Sequence, residues 1–165
     1  MNCFTFKQMK NEDIPIFADE IFAILANNMR VISPTGNSYN DDHAIWSENT
    51  IPAWRAGRSQ VILSFCKDTL CGYFQYSLTD TTFRMEEIQF KQEYHGSGLF
   101  AELYRYLTTI IPAGTKHVEA YSRKENTKSQ EILKHLGLTV IGENKNGKSL
   151  HFKGEYKALL DRYSV

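Results

Sequence analysis

Met85-Glu86-Glu87-Ile88-Gln89-Phe90, then Lys91-Gln92-Glu93-Tyr94, then His95-Gly96-Ser97-Gly98-Leu99-Phe100: this run decides the fold. Its first part closes a strand predicted over Thr82–Lys91. Beyond Gly98, the residues Leu99, Leu103, Leu107 and Ile110 recur at helical spacing, and the helix must stop before Pro112. A strand, a glycine turn and a helix make a physical recipe for an anion site. The first turn of a helix carries unpaired N–H groups and the positive end of the dipole. Glycines let the main chain take up positive φ and approach a phosphate closely. By itself the turn is equally well explained as a glycine turn entering a helix with no ligand.

Upstream of this run the pattern is β. Val61–Lys67 and Leu70–Leu78 precede the strand, divided from each other by Asp68-Thr69 and from it by Thr79-Asp80-Thr81, as in an antiparallel meander. Before them come a strand over Cys3–Met9 and a helix capped by Asn11-Glu12-Asp13 that runs to about Arg30. A second helical piece begins near Asp42 and is interrupted at Pro52. Downstream, His117–Tyr121 is a short strand, followed by a helix from about Asn126 to Leu136 with Gly137 as its left-handed cap. Leu138–Asn144 and Ser149–Tyr156 form a hairpin about Asn146-Gly147. A crossover helix between Thr82–Lys91 and His117–Tyr121 requires those two strands to run parallel. The expected fold class is therefore α/β: a mixed, largely antiparallel sheet of about seven strands with one parallel pair, flanked by about four helices.

At 165 residues the chain suits one domain, 1–165. Lys plus Arg (19) balances Asp plus Glu (19), which removes any general field toward nucleic acid or an anionic membrane. No apolar run approaches a membrane span and no leader pattern is seen, so the expected location is cytoplasmic. Three cysteines without a Cys-x-x-Cys argue against a disulfide scaffold and against zinc. If Asp68-Thr69 is a two-residue turn, Cys66 faces Cys71; two buried thiols are preferred there, with Cys3 also in the core. The five histidines show no metal-ligand spacing, so no metal is expected.

The run from Met85 to Phe100 resembles the signature of the GNAT superfamily of N-acetyltransferases, in which Arg or Gln is followed by x-x-Gly-x-Gly/Ala after the fourth strand. His95 takes the Arg/Gln place, Gly98 the central glycine and Phe100 the final small residue. Asn126, Ser129, Leu133 and Gly137-Leu138 are similar in spacing to the family's second motif, with Leu133 where the family commonly has a Tyr general acid. The resemblance implies a split between the parallel strands that admits acetyl-CoA as acyl donor. It implies cofactor contacts at Ile88, Gln89, Phe90, His95, Gly96, Ser97, Gly98, Leu99, Phe100, Asn126 and Ser129. It also implies transfer of the acetyl group to a primary amine of a small-molecule acceptor, without nucleic acid or membrane partners and with a homodimer left open.

An alkylamine with a pKa near ~10.4 must lose a proton before it attacks the thioester. Glu86 or Glu87 is the candidate catalytic base, Glu86 being preferred, while at least one of the two is expected merely to decorate a solvated strand face. The departure at Leu133 leaves no acid in the usual place, and Tyr121 or Ser129 are substitutes. The rival reading is a catalytically impaired domain that binds acyl-CoA or a protein partner as a sensor. Gly142 to Ser149 matches the Walker A pattern, but a hairpin rather than a helix follows it, so it is rejected. Trp46 and Trp54 either form an aromatic wall beside Asp41, Asp42 or Glu48, or anchor a loop to the core.

Overall fold

A computed structural model describes residues 3–164. Seven strands form one sheet in the order β1-β2-β3-β4-β5-β7-β6, with ranges β1 Phe4–Gln8, β2 Gln60–Cys66, β3 Thr69–Thr79, β4 Thr82–Phe90, β5 His117–Arg123, β6 Thr139–Glu143 and β7 Ser149–Glu155. Five α-helices accompany it among the described residues: α1 Ile14–Ile32, α2 Tyr39–Arg55, α3 Leu99–Ile110, α4 Thr127–His135 and α5 Tyr156–Tyr163. The chain divides into two compact units, residues 1–75 with 87–99 and residues 76–86 with 100–165.

In the first unit, Phe4 pairs with Cys66 and Gln8 with Ile62, so β1 and β2 are antiparallel. A 3-10 turn at Asn11–Asp13 leads into α1. Asp13 is buried there, and its carboxylate accepts from the Lys10 N–H at 2.9 Å and from Lys7 Nζ at 2.9 Å. Those two donors hold its pKa below the usual carboxylate value, the backbone N–H of Lys10 contributing most. Ile14, Ala18, Ile21 and Ile24 of α1 pack in one core with Val61, Leu63, Leu70 and Tyr73 of the sheet and with Trp54 of α2. The helix thus buries one stripe against one sheet face, as its periodicity requires.

Three expectations fail in this unit. The turn before β3 is Lys67-Asp68, with Lys67 at φ 57°, one residue earlier than Asp68-Thr69. Cys71 therefore does not face Cys66; its thiol donates to the Ser64 carbonyl at 3.3 Å, and it is the free, buried cysteine. Cys3 and Cys66 are not core thiols at all but form a disulfide, Cα to Cα 5.1 Å, that closes the start of β1 onto the end of β2. Finally, α2 is not interrupted at Pro52. Ser38 caps it by accepting from the Asp41 N–H, and the helix runs on through Pro52 to Arg55, giving up the one intrahelical hydrogen bond that Pro52 cannot donate. Of the two readings of the tryptophans, the anchor holds: Trp46 lies 5.2 Å from Phe22 and 5.3 Å from a buried Trp54.

In the second unit, the parallel pairing runs from Thr82 with His117 to Met85 with Ala120. β7 then lies antiparallel to β5, and β6 antiparallel to β7 on its far side. The core here includes Phe83, Leu103, Tyr104, Leu107, Val118, Phe152 and Leu159. Helix α5 was not foreseen. Its buried Tyr156 and Leu159 show the spacing that marked it, and Lys157 pairs with Asp161 one turn on. Ser149, last residue of the Walker-like run, opens β7 and not a helix, which disposes of that pattern.

Candidate active site

β4 approaches β3 unusually closely at its end. A Cβ built on Gly72 of β3 would stand 2.5 Å from the Phe90 ring and 2.7 Å from the Gln89 carbonyl, so only glycine fits. The next amide, Lys91 N–H, donates to the Cys71 carbonyl at 2.9 Å. A 3-10 turn over Gln92–Tyr94 then carries the chain to His95.

In the turn itself, Gly96 has φ 76° and Gly98 φ 88°, left-handed values that favour glycine at both positions. A Cβ at either would meet nothing within 4 Å, so the glycines serve backbone conformation on an open surface and not a close packing contact. The Ser97 N–H donates to the Tyr94 carbonyl, as does its hydroxyl, and the hydroxyl accepts from the Leu99 N–H at 3.4 Å. Among the described residues no acceptor is found for the N–H groups of Gly96 and Gly98. Alternating conformations with unsatisfied amides at the head of a helix suit an anion, so the turn fits a phosphate group.

His95, expected to replace the family's cation, has its Nε2 3.1 Å from the Phe90 carbonyl and is tied back to the end of β4. Phe100 stacks on Tyr104 with centroids 4.5 Å apart. Asn126 caps α4 by accepting from the Ser129 N–H at 3.1 Å, a role visible without any ligand. Leu133 is buried, and Gly137 takes up φ 95° as expected of a helix cap.

The acidic pair divides by environment. Glu86 accepts from the Ser77 hydroxyl at 3.2 Å. Glu87 is partly desolvated, and burial pushes its carboxyl up to about 7 while a hydrogen bond from Gln89 Nε2 at 2.6 Å pulls the other way. The Tyr73 hydroxyl stays firmly protonated, mainly through burial and secondarily through the Glu87 charge. Gln89 is held in turn by Asn28 of α1, a residue sequence reasoning did not select. Nothing in the sequence marks Asn28, because its partners lie 61 and 62 positions away.

A cleft of about 770 Å³ is lined by Asn28 together with Glu20, Asn27, Tyr39, Asp42 and Lys91 among others. Lys91 Nζ and Glu20 Oε2 are paired at 2.8 Å within it. Asp42 accepts from Thr35 and Asn37, which organises the segment between α1 and α2.

No family model matches the sequence, and no curated protein sequence matches it either. Solved structures do match. An acetyltransferase of Thermus thermophilus superposes with a TM-score of 0.70 at 13% identity, covering 94% of this chain and 99% of that one. The chain has the GNAT fold. The PaiA N-acetyltransferase of Thermoplasma acidophilum, solved in complex with coenzyme A, superposes at 0.66 with 15% identity over 93% of this chain and 99% of that one. The spermidine/spermine N-acetyltransferase SpeG of Vibrio cholerae does so at 0.61 with 14% identity over 97% and 98%. In this GNAT fold, β4, the 3-10 turn, the glycine turn and α3 succeed one another along the chain, so Glu87 and the open amides lie on one segment. No helix is long and apolar enough to cross a membrane among the described residues.

Proposed function

We propose that this chain is an N-acetyltransferase that moves the acetyl group of acetyl-CoA to a primary amine of a small acceptor. One observation carries the reading: Glu87, whose carboxyl is pushed up to about 7 by burial, stands on β4, the strand that precedes the glycine turn of a GNAT fold. Acetyl-CoA supplies the thioester. The turn from His95 to Phe100 holds its pyrophosphate through backbone amides, and backbone groups of Ile88, Gln89 and Phe90, with Asn126 and Ser129, complete the cofactor contacts. Glu87, directly or through a water, takes the proton from the ammonium form of the acceptor, a task suited to a group whose pKa matches the working pH. The environments of the pair favour Glu87 over Glu86 for this role.

The cleft is where we place the acceptor. Glu20 is already paired with Lys91 there, while the Asp42 carboxylate suits a cationic amine, and the likeness to spermidine acetyltransferases supports an acceptor of that general kind. Leu133 provides no proton to the departing sulfur. A thiolate with a pKa near ~8.5 leaves without one, so the cost falls at the low end of the ~10²–10⁴ range for a lost general acid. A single domain and a cytoplasmic location remain part of this proposal. The disulfide between Cys3 and Cys66 is the observation against that location, since reducing compartments keep thiols reduced.

The buried Leu133 favours a second reading, a domain that binds acyl-CoA without turnover. Thermal unfolding with and without excess acetyl-CoA, with Mg-ATP as control, is the first test. At ~100 times Kd, binding adds ~2.7 kcal/mol and should raise the midpoint by roughly 5–10 °C. Thiol release over a panel of amines then separates the readings: binding without turnover would sink the enzyme. No shift at all would sink both.

A further inference from the structure

Asn28 lies on α1, yet both hydrogen bonds recorded for its amino group go to the end of β4. Nδ2 donates to Gln89 Oε1 at 2.9 Å and to the Phe90 carbonyl at 2.8 Å. An amino group has two hydrogens, so both are used. With its Oε1 engaged by Asn28, the Gln89 amide must present its Nε2 to the other side, where it meets Glu87 Oε1 at 2.6 Å. If Asn28 did not hold it, the amide could turn over about its last bond and set its oxygen against the carboxylate.

We propose that Asn28 is a positioning residue for Glu87: it fixes the orientation of the Gln89 amide, and through it sets how readily the Glu87 carboxyl ionises. The relay matters to catalysis only if Glu87 is the base, as proposed above, but its effect on ionisation stands apart from that reading. The Tyr73 hydroxyl of β3, within electrostatic reach of Glu87, is neutral. Asn28 also lines the cleft, so the relay joins the cleft to the carboxyl.

The test is a carbon-13 carboxyl titration of glutamate-labelled protein, with the Glu87 signal assigned by its loss in Glu87→Gln. Asn28→Ala and Gln89→Met should each raise the Glu87 midpoint by about one pH unit. The double variant should titrate no higher than Gln89→Met alone, because the two act in series. An unmoved midpoint in a natively folded Asn28→Ala would overturn the relay, and so would an effect that adds in full to that of Gln89→Met. Should Asn28→Ala not fold, Asn28→Ser is read in its place, being too short to reach Gln89. The pH–rate profile of acetyl transfer is read separately. If the carboxyl midpoint moves and the profile does not, the relay holds and the assignment of Glu87 as the base falls.

Discussion

The hydroxyl of Tyr73 is fully buried on β3 within electrostatic reach of the Glu87 carboxyl on β4. A carboxyl in such surroundings works as a base only above its raised pKa. Turnover should therefore rise with pH through about 7, on top of the acceptor's own ionisation. Glu87→Gln should remove that rise and cost ~10²–10⁴-fold in kcat/KM, whereas Glu86→Gln should leave the profile in place. The check is a pH series of initial rates for the three proteins.

The same Glu87→Gln should make the fold more stable. In the unfolded chain a glutamate ionises near 4.5, below its value of about 7 here, so the folded state holds the proton more tightly. This stabilising hold is complete below 4.5 and is lost as pH rises through about 7. Urea unfolding at about pH 8 should favour Glu87→Gln by up to about 3 kcal/mol, and the gap should close in acid. Equal stability at both would show that the carboxyl is solvated.

Asp13 behaves in the opposite sense. Its pKa is depressed, so its contribution is present above the unfolded value and lost as pH falls through the folded one. Asp13→Ala removes the acceptor of the Lys10 N–H and of Lys7, and should cost about 2 kcal/mol at neutral pH. Acid unfolding curves of the two proteins should converge once Asp13 of the unsubstituted protein is protonated in its folded and unfolded states alike.

Gly98→Ala forces a side chain into φ 88°, at a site where it would meet no other atom. The expected cost in stability is about 1 kcal/mol. The thermal shift with acetyl-CoA should shrink far more than that, because the amides are turned. A full shift in Gly98→Ala would place the pyrophosphate elsewhere.

Reduction opens a loop between Cys3 and Cys66 with a separation of 63 residues. Chain-entropy arithmetic for that loop gives about 4 kcal/mol, to be seen as a lower unfolding midpoint in dithiothreitol or in Cys66→Ser. Cys71 should stay unmodified by iodoacetamide in the folded protein, since burial pushes its pKa to about 11.

The elements with strong local patterns were legible in the sequence. The stripe Leu99, Leu103, Leu107 and Ile110 is α3, and Gly96, Gly98, Gly137 and Gly147 all take up the positive φ their turns require. Register was less legible. Placing the β2–β3 turn one residue late put Cys71 opposite Cys66, because moving a two-residue turn by one residue moves each cross-strand partner by two. The disulfide was hidden for the same reason, because it joins strands whose pairing the sequence does not state. Of the site, the turn and the acidic pair could be read, but not which carboxylate is desolvated. That depends on burial, which is set by the tertiary fold and not by local pattern.

The strand order holds a consequence for how the chain comes together. β7 sits between β5 and β6, so β6 has no partner and β5 has only β4 until residues 149–155 exist. On the ribosome, the first unit has its helices, β1, β2 and the disulfide partners available early, while β5 waits with a bare edge through the synthesis of α4 and β6. A nascent chain halted at the Asn146-Gly147 turn would display that edge to its neighbours on the same message. Aggregation during expression should accordingly depend on how fast this final stretch is translated.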